Sequence, residues 1–487
     1  MNKKNISNRQ KVLKGISSQT IVTLVLGFVE IVSFSIMSRL LTKEDFGYYA
    51  AIMAIVTVFA SFSETGIGSA IIQRKNINQI FIDNAFTLSL LFGLSISLLL
   101  LAFSPILADM VSDSSMTPAL MIMSVTLLAH CLTSVFISLM QRKLEFLRIG
   151  AIHLFSLIAT TMIAIGLAYK GFGYYAIITK AVMQSFITCI IAFFFCRTKF
   201  SFFLDKTTTI SIFRFSGWLM ASVVFRNLAH QVDRLLMPRL LSITALGAYN
   251  RPQDFINQIS TKLNGIFDMA LFPVLSSIQN EKEKLKKAFS ESLYIMNLFA
   301  MLLTTAFAIN SELIVRVFFG EKWLDLTGVT FVLSLMLIFN IDGRLADCYL
   351  RSMGLTKAQF FFRILETFIK ILGLLIGYKW GIMGCAVSIV ATNSISKVIK
   401  ITYITSIIGI NILDTANIIL KSWKFTLYLA PLCGFAYLLL PHSFMGNIML
   451  AGIFSSAVSW EFLRVPSLVG TKYKEFLFPM IKKKFSR

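Results

Sequence analysis

"SRLLTKEDFGYY", residues Ser38–Tyr49, and "PRLLSITALGAY", residues Pro238–Tyr249, each lie between two long apolar stretches. Set side by side, Arg39, Leu40, Leu41, Gly47 and Tyr49 meet Arg239, Leu240, Leu241, Gly247 and Tyr249. Thr42 and Phe46 meet the similar Ser242 and Leu246. Two further pairs follow in the same order: "EFLRI" from Glu145 with "FFFRI" from Phe360, and "YKGFGYYA" from Tyr169 with "YKWGIMGCA" from Tyr378. A hairpin written twice in one chain means a repeated unit. Gly at a turn and Tyr at an interface also arise by convergent turn chemistry, so the weight lies in the shared order of the pairs.

Working outward, the flanking stretches fix the class. The chain has 487 residues, 56% hydrophobic and 14% charged, where a soluble chain carries about 25% charge. Apolar runs fall near 17–38, 46–72, 84–108, 117–140, 149–169, 174–196, 213–237, 246–275, 289–318, 326–350, 361–378, 382–408, 417–440 and 446–465. Most reach the about 20 residues that a hydrocarbon core needs. The expected fold is therefore an all-α polytopic membrane protein with about 14 transmembrane helices. The repeat divides them into two six-helix lobes over 1–204 and 205–410, with two additional helices and a basic tail over 411–487. Units with an even number of helices keep their orientation, so the lobes relate by a pseudo-two-fold axis along the membrane normal. Each lobe contributes one hairpin to the outer face.

Charge placement orients the chain. The net charge is +22. Lys and Arg gather at both termini and after even-numbered runs, for example Arg142, Lys143 and Arg148, and the run at 281–287. That is the positive-inside distribution, which places both termini in the cytoplasm and excludes nucleic acid as the partner. Tyr48, Tyr49, Tyr174, Tyr175, Trp323, Tyr378 and Trp380 are expected at the outer interface. Cys131, Cys189, Cys196, Cys348, Cys385 and Cys433 all sit in apolar runs, so neither a disulfide framework nor a metal site is expected. No cleavable signal peptide is expected, because the first run is too long. No P-loop pattern is present, so ATP hydrolysis by this chain is not expected.

These stretches resemble a known family. "SRLLTKEDFGYYAAIM", "ETGIGSAIIQRK" from Glu64, "FRFSGWLMASVVFRNLAHQVDRLLM" from Phe213 and "LGAYNRPQDF" from Leu246 look like the polysaccharide transporter branch of the MOP exporters, the Wzx-type flippases. The resemblance implies two lobes facing a cavity and a multi-pass protein of the bacterial inner membrane. It implies an undecaprenyl-diphosphate-linked oligosaccharide repeat unit of O-antigen, capsule or exopolysaccharide as cargo. It further implies alternating access with cation-coupled antiport to H+ or Na+, and a polymerase and glycosyltransferases of the same pathway as partners.

Charge inside a membrane costs roughly 2.5–3.5 kcal/mol on insertion scales, so each such residue should face protein or water. Arg226, His230 and Asp233 share one face of the seventh helix, as do Arg344, Asp347 and Arg351 on the tenth and Arg363, Glu366 and Lys370 on the eleventh. Asp254, Lys262 and Asp268 lie on the eighth. Arg226, His230, Asp233, Lys262, Arg344 and Lys370 are the candidate cargo contacts, because Arg holds phosphate oxygens bidentately and stays charged. Arg344 with Asp347, and Glu366 with Lys370, are also spaced to pair within one helix. Arg351 and Arg363 are read as cytoplasmic helix ends. In the first half Glu30, Glu64, Arg74 and His153 remain. Glu30, Glu64, Asp233 and Asp268 are the candidates for binding a coupling cation; Glu30 could instead pair with a basic residue of the facing lobe. Gln19, Ser33, Asn227, Gln231, Asn257, Gln258 and Asn264 could serve sugar hydroxyls. A MATE-like cation exporter would be expected to line its cavity with acids, and a membrane glycosyltransferase or polymer ligase would need a sizeable outer loop that is absent here.

Overall fold

The computed structural model describes residues 8–63, 67–74, 77–111 and 113–423. Among them there are helices, turns and loops, and no strand. That follows from the solvent: in hydrocarbon each N–H and C=O must be satisfied within its own segment. The first half consists of α1 (Asn8–Leu40), α2 (Lys43–Ser63), α3 (Ile67–Gln73), α4 (Gln79–Val111), α5 (Thr117–Arg142), α6 (Phe146–Tyr169) and α7 (Tyr174–Cys196). The second consists of α8 (Lys206–Leu240), α9 (Ile243–Ser277), α10 (Lys282–Ile309), α11 (Ser311–Ile314), α12 (Thr327–Ser334), α13 (Met336–Ser352), α14 (Thr356–Gly377) and α15 (Gly381–Ile408). Among the described residues, seven helices or helix pairs are long and apolar enough to cross a membrane on length and composition alone. The runs at 417–440 and 446–465 lie outside the described residues, except that 412–423 are helical. A count of fourteen therefore rests on hydropathy.

The repeated hairpins meet each other. Thr42 Oγ1 accepts from Asp45 N at 3.2 Å, and Ser242 Oγ accepts from Ala245 N at 3.0 Å, so both turns carry the same cap. A Cβ built on Gly47 would stand 2.0 Å from Ile243 O, and one on Gly247 would stand 1.8 Å from Lys43 O. Lys43 and Ile243 hold the same position in the repeat, so the contact is reciprocal, as a two-fold axis requires. Only glycine at both positions lets the helix starts of α2 and α9 approach this closely. The flanking arginines repeat the exchange: Arg39 donates to Val317 O at 2.8 Å and Arg239 to Asp109 O at 2.9 Å.

Other bonds seal this face. Lys43 pairs with Asp325 at 2.5 Å, and Lys322 donates to Leu41 O at 2.6 Å. Arg251 is buried, donates to Ser38 Oγ and Phe34 O, and packs 3.3 Å from the Phe34 ring centre and 3.9 Å from that of Phe46. Trp323 was expected in an interfacial belt. It is instead fully buried and donates to Ser38 O at 2.9 Å, because a large ring that can satisfy its N–H is worth more inside the seal than at the headgroups. In the neighbouring loop Asp113 accepts from Tyr48 Oη at 2.7 Å and from Ser115 N at 2.8 Å, which hold its carboxyl below the usual range.

The cores follow the same geometry. One apolar cluster unites both halves at the hairpin face, with Phe34, Met37, Phe46, Phe255, Phe319 and Trp323 among its members. At the opposite end the halves have separate cores, one around Phe81, Phe136 and Ile149, the other around Phe289, Tyr349 and Ile404. The apolar clusters are thus shared at the hairpin face and separate at the other, where α8 still packs along α2 and α4 and Asn84 bonds Thr209 at 3.3 Å. Within the second half, Gly377 and Gly384 bring α14 and α15 close: a Cβ on Gly384 would meet Gly377 O at 2.2 Å. Small residues at such crossings suit a solvent that offers no hydrophobic force between helices.

Candidate functional site

Deeper along α8 and α9 than the hairpin lies a cavity of about 490 Å³. Its lining residues all come from the second half: α8, α9, α13, α14 and α15. Asn227, Gln231, Asn257 and Asn264 supply amides. Arg234, Arg344, Arg363, Lys370, Lys397 and Lys400 supply positive charge, and Asp347 and Glu366 negative charge.

All of these pairings but Arg363–Glu366 cross between helices, because a desolvated charge needs an opposite charge and no water is at hand to replace it. Lys370 of α14 meets Asp233 of α8 at 3.0 Å; Asp233 also accepts from Gln253 at 2.7 Å and Tyr249 at 3.3 Å. Arg234 pairs with Asp254 of α9, and Lys397 of α15 with Asp342 of α13. Asp347 of α13 is held by Arg363 of α14 and by Lys400 of α15, the latter at 3.0 Å. Glu366 meets Arg363 at 3.0 Å and Lys400 at 2.5 Å. Among the described residues of this wall, the named cations outnumber the carboxylates of these pairs by one.

The structure brings His230, Arg344 and Lys370 to the wall and backs them with Asp233. Arg226, one turn before His230, is exposed and stands outside the ring of lining residues. Lys262 is also outside it and pairs across the halves with Glu30 at 3.0 Å, the alternative weighed for that carboxylate. Glu64 and the side chain of Asp268 lie outside the described residues. Arg363 is not a cytoplasmic helix end: it sits inside α14 and is fixed by Asp347 and Glu366, acids that flanking sequence alone does not reveal. Cross-helix pairs appear where spacing suggested pairs within α13 and α14: Asp347 reaches Arg363 and Lys400, and Lys370 reaches Asp233. Arg351 does lie in the last turn of α13, over the Phe272 ring.

Sequence reasoning missed Lys397, Lys400, Asp342 and Arg234. The lysines stand in the run 382–408, whose apolar average hides them, though their i, i+3 spacing puts both on one face. Ser33 is engaged elsewhere: Lys180 donates to it at 2.5 Å, and it lies 3.2 Å from Thr161 Oγ1. Gln258 is not among the lining residues, and the side chain of Gln19 is not described.

Comparison with known proteins gives the fold and the family. The chain is 23% identical over 400 residues to the lipopolysaccharide biosynthesis protein WzxC of Escherichia coli (strain K12), covering 81% of each chain. Among solved structures, it superposes on the lipid II flippase MurJ in an inward closed conformation with a TM-score of 0.71 at 15% identity, covering 93% of this chain and 99% of that one. It superposes on an inward-facing multidrug resistance MATE family transporter of the MOP superfamily with a TM-score of 0.65 at 13% identity, covering 80% and 98%. The fold is therefore the two-lobe fold of these membrane transporters. The family model described as "Polysaccharide biosynthesis protein" matches residues 36–328, more than half of the chain, and the chain belongs to that family.

Proposed function

We propose that this protein moves a diphosphate-linked lipid oligosaccharide across the bacterial inner membrane by alternating access, with both termini in the cytoplasm and H+ or Na+ as the coupling cation. The observation that carries this reading is the wall of Arg234, Arg344, Arg363, Lys370, Lys397 and Lys400 beside open space, with amides next to it. A diphosphate loses its water in mid-bilayer; guanidinium and ammonium groups already held in place replace that hydration. Asn227, Asn257 and Asn264 can bond sugar hydroxyls. The prenyl tail needs no polar contact and can stay in lipid. The sealed hairpin face and the separate cores at the opposite end support a state open toward the cytoplasm. A pump for organic cations would gain nothing from such a wall.

The test is polymer export in a strain lacking this protein, complemented with Arg344→Ala, Arg344→Lys or Lys370→Ala, with membrane levels measured alongside. Loss of export at normal levels, partly restored by lysine at 344, is expected. Full export by both alanine variants would remove the cationic wall from the mechanism.

A further inference from the structure

Asp347, Arg363, Glu366 and Lys400 close a square on the cavity wall. Arg363 holds Asp347 and lies 3.0 Å from Glu366; Lys400 lies 3.0 Å from Asp347 and 2.5 Å from Glu366. Two anionic groups thus each bridge the same two cations. A diphosphate offers the same pattern, since carboxylate and phosphate oxygens compete for the same guanidinium fork. The square is neutral while the cavity is empty. A cargo with two negative charges cannot join it intact, because four negative charges would then crowd two cations in a poorly solvated site.

The remaining charges around the square offset at most one of the cargo's two, because the wall's cations outnumber the carboxylates paired with them by one. Lys370, one turn from Glu366 on α14, is held by Asp233, and Lys397, one turn before Lys400, by Asp342. Arg344 lies one turn before Asp347 on α13 and already carries its charge. From α8 the cavity also takes His230 and Arg234, the latter held by Asp254 of α9, and α9 contributes Asn257 and Asn264, which do not titrate.

We propose that Asp347 and Glu366 occupy the diphosphate's place in the empty cavity, and that cargo binding displaces and protonates them. This rests on the anionic-cargo reading above. The balance is simple. Phosphoryl oxygens take over the N–H donors of Arg363 and Lys400, and each released carboxylate takes up one proton from the buffered solution. No bond of the cargo breaks, and two charges enter with two protons. An anion that competes with carboxylates for cations binds together with protons, not against them. The loaded site then carries no more charge than the empty one.

The experiment is titration calorimetry on the full-length protein in detergent with geranyl-diphospho-N-acetylglucosamine, whose diester diphosphate does not titrate near neutrality. Running it in buffers of different ionisation enthalpy counts the protons exchanged. The expected result is uptake of about one to two protons per probe bound, with affinity falling about tenfold per pH unit for each linked proton. Asp347→Asn with Glu366→Gln keeps binding and abolishes the uptake; His230→Gln keeps the uptake per probe bound. The wild-type measurement stands alone should the double variant fold poorly. Binding with no uptake, or with proton release, overturns the inference and leaves the cargo reading intact. Uptake lost in His230→Gln and kept in the double variant also overturns it. Absence of binding in wild type and every variant overturns the anionic-cargo reading and this inference with it.

Discussion

Replacing Gly247 with alanine should unseal the hairpin face. The added Cβ would lie 1.8 Å from Lys43 O and 2.7 Å from Gly47 N, both backbone atoms of a helix start that cannot swing aside. Carbon and carbonyl oxygen tolerate about 3.3 Å, so α2 and α9 must separate by roughly 1.5 Å. Overpacking of this kind costs about 1–3 kcal/mol. Because the strain exists only while the face is closed, it shifts the closed-to-open balance by about 5- to 150-fold. The Lys43–Asp325 pair spans the same seam, but its side chains are 27% and 59% exposed. Such a pair is worth about 0.2–1 kcal/mol, at most about fivefold. The assay is labelling of Asn257→Cys, placed in the cavity of a cysteine-free background, with an impermeant maleimide added from the hairpin side. Gly247→Ala should label much faster than the parent, and Asp325→Ala only slightly faster. Labelling of the glycine variant at the parental rate, or a larger effect from Asp325→Ala, would refute the seam as the main closure.

Three other outcomes are expected. Asp342→Ala leaves Lys397 buried without its acid and should lower stability by about 3–5 kcal/mol, whereas Asp342→Leu with Lys397→Met should be much milder; thermal unfolding in detergent compares them, and equal losses would contradict the pairing. Arg251→Ala removes charged hydrogen bonds to Ser38 and Phe34, about 1.5–3 kcal/mol, and should both lower the unfolding temperature and speed labelling of Asn257→Cys from the hairpin side, with Arg251→Lys intermediate. Asp113→Asn tests the loop: the Tyr48 bond keeps the folded carboxyl below its usual pKa, so its contribution is present above about pH 4 and fades as pH falls through the lowered value. The stability gap between parent and variant should shrink on acidification, and a gap that stays constant would count against it.

The chain by itself determined the class, the repeat and most helix positions, because hydropathy over about 20 residues and turn chemistry are local properties. The matching hairpins were legible for the same reason, down to the Gly47–Gly247 equivalence and the match of Thr42 with Ser242, though not the caps these two form. The charged faces of α8, α13 and α14 were legible too, since helical spacing alone puts residues on one stripe. What a charge does there was not. Whether Lys262 faces the cavity or Glu30, whether Arg363 ends a helix or holds Asp347, and that Lys397 and Lys400 complete the wall depend on helices far apart in the chain. Desolvated charges must find partners, and only the packing of α8, α13, α14 and α15 decides which ones lie within reach.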